Sequence, residues 1–145
     1  MVKTPYWEDV QEGMAIPDLR KNASTQQLVK YAGASLDWYQ IHYDLEFARG
    51  NKLDGLIIHG ALKNAWLGQV VTDWMGMEGV LRKLSVQYRG MDVPNDALVC
   101  KGVVKKKYEQ GGHHLVDLEI WLENGKGEKT TPGEATVSLP LRMAR

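Results

Sequence analysis

Between residues 59 and 75 the apolar side chains keep a helical period. Leu62, Trp66, Val70 and Trp74 recur every four residues, flanked by Ala61, Ala65, Leu67, Val71 and Met75. That face is wider than one packing layer requires, which predicts a helix wrapped by other structure. After Gly76 the period changes from helical to alternating. Leu84, Val86 and Tyr88 alternate with Lys83, Ser85, Gln87 and Arg89, and residues 97–108 make a second strand candidate. Val116, Leu118, Ile120 and Leu122 oppose Asp117, Glu119, Trp121 and Glu123. Ala135, Val137, Leu139 and Leu141 alternate with Thr136, Ser138 and Pro140. Turn signals at Pro94-Asn95-Asp96, Gln110-Gly111-Gly112 and Asn124-Gly125 separate these runs. Strands at hairpin spacing, each with one apolar face, predict an antiparallel sheet.

Upstream, the residues through Asp18 mix Pro, Gly and acidic side chains and read as an irregular arm, with a short strand expected within residues 15–23. Ser24-Thr25-Gln26-Gln27 matches a capping box, in which the Ser24 hydroxyl accepts from the Gln27 N–H. The helix it opens carries Leu28, Tyr31 and Ala32 on one side and is expected to end at Gly33. Residues 34–41 have neither period and read as a loop; a short helix over 44–49 then ends at Gly50-Asn51. The economical packing curls the sheet around the long helix, an α+β architecture. With no repeat, low-complexity tract or linker, a single domain over residues 1–145 is expected.

Composition narrows the function classes. Lys+Arg and Asp+Glu number 18 each, so no net field favours nucleic acid or an anionic membrane as partner. The single cysteine, Cys100, allows no internal disulfide and fits a reducing compartment. No signal-peptide core precedes Trp7, and the uncharged apolar stretch near residues 56–62 is too short to span a bilayer. A cytoplasmic location is expected.

Two segments carry candidate chemistry. In Asp37-Trp38-Tyr39-Gln40-Ile41-His42 the carboxylate and imidazole cannot share a helix face, but a loop can aim both at one spot. Histidine titrates near neutrality and an ionised carboxylate is a good acceptor. Such a pair can hold a water, take its proton and return a proton elsewhere on a substrate. Spacing alone equally fits a loop aspartate bonding backbone and a histidine satisfied in the core. The second segment, Asp54-Gly55-Leu56-Ile57-Ile58-His59-Gly60, leads into the apolar helix. Helix N-termini expose unpaired N–H groups and a positive dipole end, and glycine permits close approach. A thioester carbonyl at the Gly60 N–H would be polarised there. A plain glycine at a helix start is the alternative.

Together these residues resemble the MaoC-like, R-specific enoyl-CoA hydratases. The resemblance rests on Asp37-x-x-x-x-His42, the following Tyr43-Asp44, nearby Ala48, and Ile58-His59-Gly60 at the helix start. It extends from the Trp7-Glu8-Asp9-Val10-x-x-Gly13 opening through the sheet. It implies a hot-dog fold, usually dimeric or paired with a second hot-dog unit, and syn addition of water to a trans-2-enoyl-CoA, or the reverse. Asp37 and His42 would then activate the water and protonate the alpha carbon, and the Gly60 N–H would bind the thioester oxygen. His59, Tyr39 and Gln40 join Gly60 as substrate-side candidates. Tyr39 and Gln40 stand where the family pattern has Asn and Pro. No metal or redox cofactor is implied, since coenzyme A enters as part of the substrate.

Two alternatives accompany this reading. One is a non-catalytic hot-dog subunit completing a partner's acyl-CoA pocket. The other is an acyl-CoA thioesterase, which would need a carboxylate on the central helix, where Asp73 near the far end is the only one. Lys101, Lys105, Lys106 and Lys107, with Arg82, Lys83 and Arg89, are read chiefly as solvated strand faces. His113-His114 reads as part of a hairpin, and Cys100 as a small buried residue.

Overall fold

The computed structural model describes residues 4–142; the first three residues of the N-terminal arm lie outside the described ones. Three helices, α1 (Thr25–Ser35), α2 (Leu45–Gly50) and α3 (Gly60–Met75), precede most of a five-stranded sheet. Its strands are β1 (Leu19–Lys21), β2 (Val80–Val86), β3 (Leu98–Gln110), β4 (His113–Glu123) and β5 (Lys129–Ser138). They pair antiparallel throughout, in the order β1-β3-β4-β5-β2. The α3 helix packs against β2, β3, β4 and β5 at once. This is the α+β architecture expected from the periodicity, in the hot-dog arrangement that the family resemblance implies.

The wide apolar face of α3 explains the wrapping. Leu62, Trp66, Leu67, Val70 and Val71 are all buried, and they meet the inward residues Val116, Leu118, Ile120, Leu122, Ala135 and Val137 of β4 and β5 in one core. The alternation that predicted the strands reappears as alternating burial, with Asp117, Glu119 and Trp121 turned away from that core.

Three boundaries differ from expectation, each for a local reason. The α1 helix runs through Gly33 to Ser35, and Leu36 takes the left-handed conformation at its end (φ 62°). Gly33 lies inside the helix beside the Trp38 ring, where a Cβ would make an ordinary 3.6 Å contact. The β5 strand starts at Lys129, well before residue 135. Pro132 is tolerated because β2 has ended at Val86 on that flank, where the Pro132 carbonyl accepts from the Gln87 N–H at 2.8 Å. At Gly133 a Cβ would lie 2.5 Å from the Ser85 carbonyl oxygen, so close pairing with β2 requires glycine. The expected strand within residues 15–23 shrinks to Leu19–Lys21, preceded by an isolated bridge from Ala15 to Val103. Ser24 caps α1 as read, accepting from the Gln27 N–H at 3.1 Å.

Leu67 is completely buried at the centre of this packing. Leu67→Ala is expected to lower unfolding free energy by about 2–5 kcal/mol in urea titration. A loss below about 1 kcal/mol would contradict the placement of α3 in the core.

Candidate functional site

The loop after α1 begins when Leu36 reverses the chain. Asp37 then forms a tight local turn: its N–H donates to the Ser35 hydroxyl at 3.3 Å, and its Oδ1 accepts from the Tyr39 N–H at 3.3 Å. A 3-10 turn over Gln40–His42 follows, and Asp44 caps α2 by accepting from the Phe47 N–H at 3.0 Å. Gln40 takes the first position of that turn, where an N–H has no call for an intrahelical partner and the proline of the family pattern would fit.

This loop is tied to the segment entering α3. The Ile57 N–H donates to the Ile41 carbonyl at 3.2 Å, and the Ile57 carbonyl lies 2.7 Å from His42 Nδ1. A carbonyl only accepts, so His42 Nδ1 carries a hydrogen, and in the neutral ring Nε2 is then the acceptor. Nε2 faces Asp37 Oδ2 at 4.0 Å. That gap is too long for a direct hydrogen bond and suits one water donating to both acceptors. The carboxylate is half-exposed and the imidazole almost fully buried, so the pair opens toward solvent on the Asp37 side.

His59 completes the cluster. Its ring stacks on His42 with centroids 3.7 Å apart and planes 21° from parallel. Its Nε2 donates to the Asp37 backbone carbonyl at 3.3 Å, while Nδ1 has no partner among the described residues. The ring is wholly buried, which makes it a support for both Asp37 and His42 and not the substrate-contacting surface expected of it. Asp37, His42 and His59 offer ligand atoms within 4.8 Å of one another, the composition of a metal site. Near-parallel imidazoles, however, direct their in-plane lone pairs side by side and not at a common ion.

Gly60 opens α3, and its N–H has no partner among the described residues; His59 is the residue before it. The Tyr88 ring covers Gly60 closely enough that a Cβ there would come within 3.2 Å of it. Tyr39 packs edge-on to His42 and Phe47, at centroid distances of 6.3 Å and 6.0 Å. Two further phenols stand at the site without any motif to mark them. Tyr31 meets His59 edge-on at 4.9 Å, and burial, then Tyr88 and Asp37, raise its pKa above the usual value. Helical spacing had placed Tyr31 among core residues, and Tyr88 among strand residues.

Other candidates lie elsewhere. Burial pushes the Cys100 thiol up to about 12, so it is unsuited to nucleophilic work. Lys101 and Lys105 pair with Glu123 and Glu119 at 3.1 Å and 3.5 Å, and Lys107 lies over the Trp7 ring. A cleft of about 640 Å³ lies on the sheet face turned away from α3, with Lys83, Arg89 and Lys105 interspersed with Asp117, Glu119 and Glu134. It contains none of the loop residues just described.

Burial first, and the neighbouring His42 second, hold the His59 pKa below its ordinary 6.5. An unfolded chain therefore takes up this proton at higher pH than the folded one. The stabilising effect of the neutral ring is complete above about pH 6.5 and is lost as pH falls through the folded-state value. Melting temperature should decline across that interval, and His59→Gln should flatten the decline. Equal slopes in the two proteins would count against a buried neutral His59.

Comparison with known proteins identifies the family and the fold. The family model described as MaoC like domain matches residues 9–125. The (R)-hydratase from A. caviae involved in PHA biosynthesis superposes with a TM-score of 0.82 at 19% identity, covering 92% of this chain and 99% of that one. The ChsH1-ChsH2 complex from Mycobacterium tuberculosis contains a chain matching at a TM-score of 0.78 and 18% identity, covering 89% of this chain and 98% of that one. Fatty acid synthase subunit beta of Aspergillus oryzae is 33% identical over 111 residues, which are 74% of this chain. The chain spans only 5% of that relative's length. No helix among the described residues is long and apolar enough to cross a membrane. With four-fifths of its length matched by one family model, the chain belongs to the family of the MaoC like domain.

Proposed function

We propose that the protein is an acyl-CoA hydratase or dehydratase that adds water across the 2,3-double bond of an enoyl-CoA, or removes it from the 3R-hydroxyacyl-CoA. The observation that carries this reading is the 4.0 Å gap between His42 Nε2 and Asp37 Oδ2, both acceptors, beside the free N–H at the start of α3. A water held between them attacks C3 as one of the pair takes its proton. The C2=C3 π electrons move toward C2 and the thioester oxygen, where the Gly60 N–H and the helix dipole stabilise the enolate-like charge. A proton from the same pair then reaches C2. Because water and proton come from one pair, both add to the same face. The reaction needs no metal or redox cofactor, and coenzyme A is present only as the acyl carrier.

Family membership supports the reaction class, and the named (R)-hydratase shares the fold. A thioesterase fits less well. Asp73, which engages Gln69 at 3.4 Å, lies thirteen residues along α3 from Gly60, about 20 Å from the helix start at 1.5 Å per residue.

A second hot-dog unit, identical or different, fits the exposed apolar side chains beside the pair: Leu36 is 78% exposed, and Trp38 and Tyr39 about half. The ChsH1-ChsH2 assembly is a related chain working in a complex. The non-catalytic-subunit alternative stays tied to this surface, and retention of both Asp37 and His42 weighs for a catalytic chain. Tyr39 places its hydroxyl-bearing ring where the family pattern has Asn, against His42.

With crotonyl-CoA, Asp37→Asn and His42→Ala are each expected to lower kcat by about 10²–10⁴-fold; Asp37→Asn should melt near the unaltered protein, and His42→Ala, which removes a buried ring tied to Ile57, should melt lower while still folding. The double variant should lose little more than the worse single one, because the two act on one water. Full hydration by either single variant would reject the reading, and free thiol release without hydration would favour the thioesterase.

A further inference from the structure

Lys63 interrupts the apolar face of α3 one turn beyond Gly60, yet it is only 2% exposed. Its Nζ donates to the Gly90 carbonyl at 2.8 Å and to Asp92 Oδ2 at 2.9 Å. Asp92 is equally buried, and the same Oδ2 accepts from the Thr130 hydroxyl at 2.7 Å. Its Oδ1 has no partner among the described residues. The Asp92 backbone carbonyl accepts from the Ile58 N–H at 2.8 Å, two residues before Gly60. Arg89 and Gly90 both donate backbone N–H groups to the Thr130 carbonyl, at 3.0 Å and 2.9 Å. The strap over residues 88–92 is thus fastened to α3 through Lys63, to β5 through Thr130 and to the helix entrance through Ile58.

What the strap carries is Tyr88, whose ring covers Gly60 and lies 5.8 Å from the Lys63 ammonium. A buried ion pair with an unsatisfied carboxylate oxygen is a poor way to stabilise a core, because apolar side chains of similar volume avoid the desolvation penalty. It is a good way to fix a direction. The Lys63 hydrogens and the Asp92 oxygens accept one register of strap against helix, whereas an apolar contact would accept several.

We propose that Lys63 and Asp92 are positioning residues that hold Tyr88 at a set separation from the Gly60 N–H. The ring, in contact with Gly60, then forms one wall beside the Gly60 N–H, against which a flat thioester group would lie. This rests on the hydratase reading for its substrate, but not for its geometry. The pair touches no reacting atom; it acts through Tyr88 and Gly60.

Three variants test it: Lys63→Met with Asp92→Leu, which replaces the pair by apolar side chains; Thr130→Val; and its rescue, Thr130→Ser. Each is assayed for melting temperature, for kcat and KM with crotonyl-CoA, and for the NMR amide resonance of Gly60. The apolar double variant should melt no lower than the unaltered protein while kcat falls between about ten- and a hundredfold. The pH profile set by Asp37 and His42 should not move, and the Gly60 amide should shift or broaden. Thr130→Val should show the same pattern more weakly, and Thr130→Ser should restore it. Folded variants with unchanged kcat and an unchanged Gly60 resonance would overturn the proposal. If the unaltered protein hydrates no enoyl-CoA, the hydratase reading fails by itself; the Gly60 resonance then still decides whether the pair positions the Tyr88 ring.

Discussion

The candidate site depends on one constraint: an irregular loop must be held against the start of a buried helix. Two hydrogen bonds run in opposite senses through Ile57, one from its N–H to Ile41 and one to its carbonyl from His42 Nδ1. His59 adds a third tie through the Asp37 carbonyl and a ring stack on His42. The same contacts that anchor the loop also choose the His42 tautomer, leaving Nε2 free to meet Asp37. Structure and chemistry are set by one small group of bonds, so His42 cannot lose its fold-supporting partner without losing its lone-pair direction.

The parts of this legible in the sequence are those governed by period. The breadth of the apolar face on residues 59–75 announced a wrapped helix, and alternation after Gly76 announced the sheet. Boundaries escaped where a tertiary contact overrode a local signal. Gly33 looked like a helix stop because glycine usually is one, but the left-handed turn that ends α1 falls on Leu36 instead. Alternation marked the last strand only from Ala135, whereas β5 also takes in Thr130 to Gly133, where the end of β2 leaves room for a proline on that flank.

The site was half legible. Asp37 and His42 could be singled out because their spacing excludes a shared helix face, and the family resemblance gave them roles. Their supports could not. His59 was read as a substrate contact, whereas its ring lies behind the pair as a brace. Lys63 was one cation on a helix, and Asp92 one carboxylate in a loop; nothing in the spacing of residues 63 and 92 says that they meet. Pairings across the fold carry no periodic signature. The clue available was chemical: a lysine set within a stripe of Leu62, Trp66, Leu67 and Val70 needs a partner if it is to be buried.

The central claim is that one carboxylate and one imidazole share a single water on one face of an enoyl thioester. The most direct measurement is hydration of crotonyl-CoA in deuterium oxide, with the product's configuration and deuterium position read by NMR. The account predicts a 3R-hydroxybutyryl product with one deuterium at C2, added to the same face as the hydroxyl. A 3S product, deuterium on the opposite face, or cleavage of the thioester without any hydroxyacyl product would contradict it.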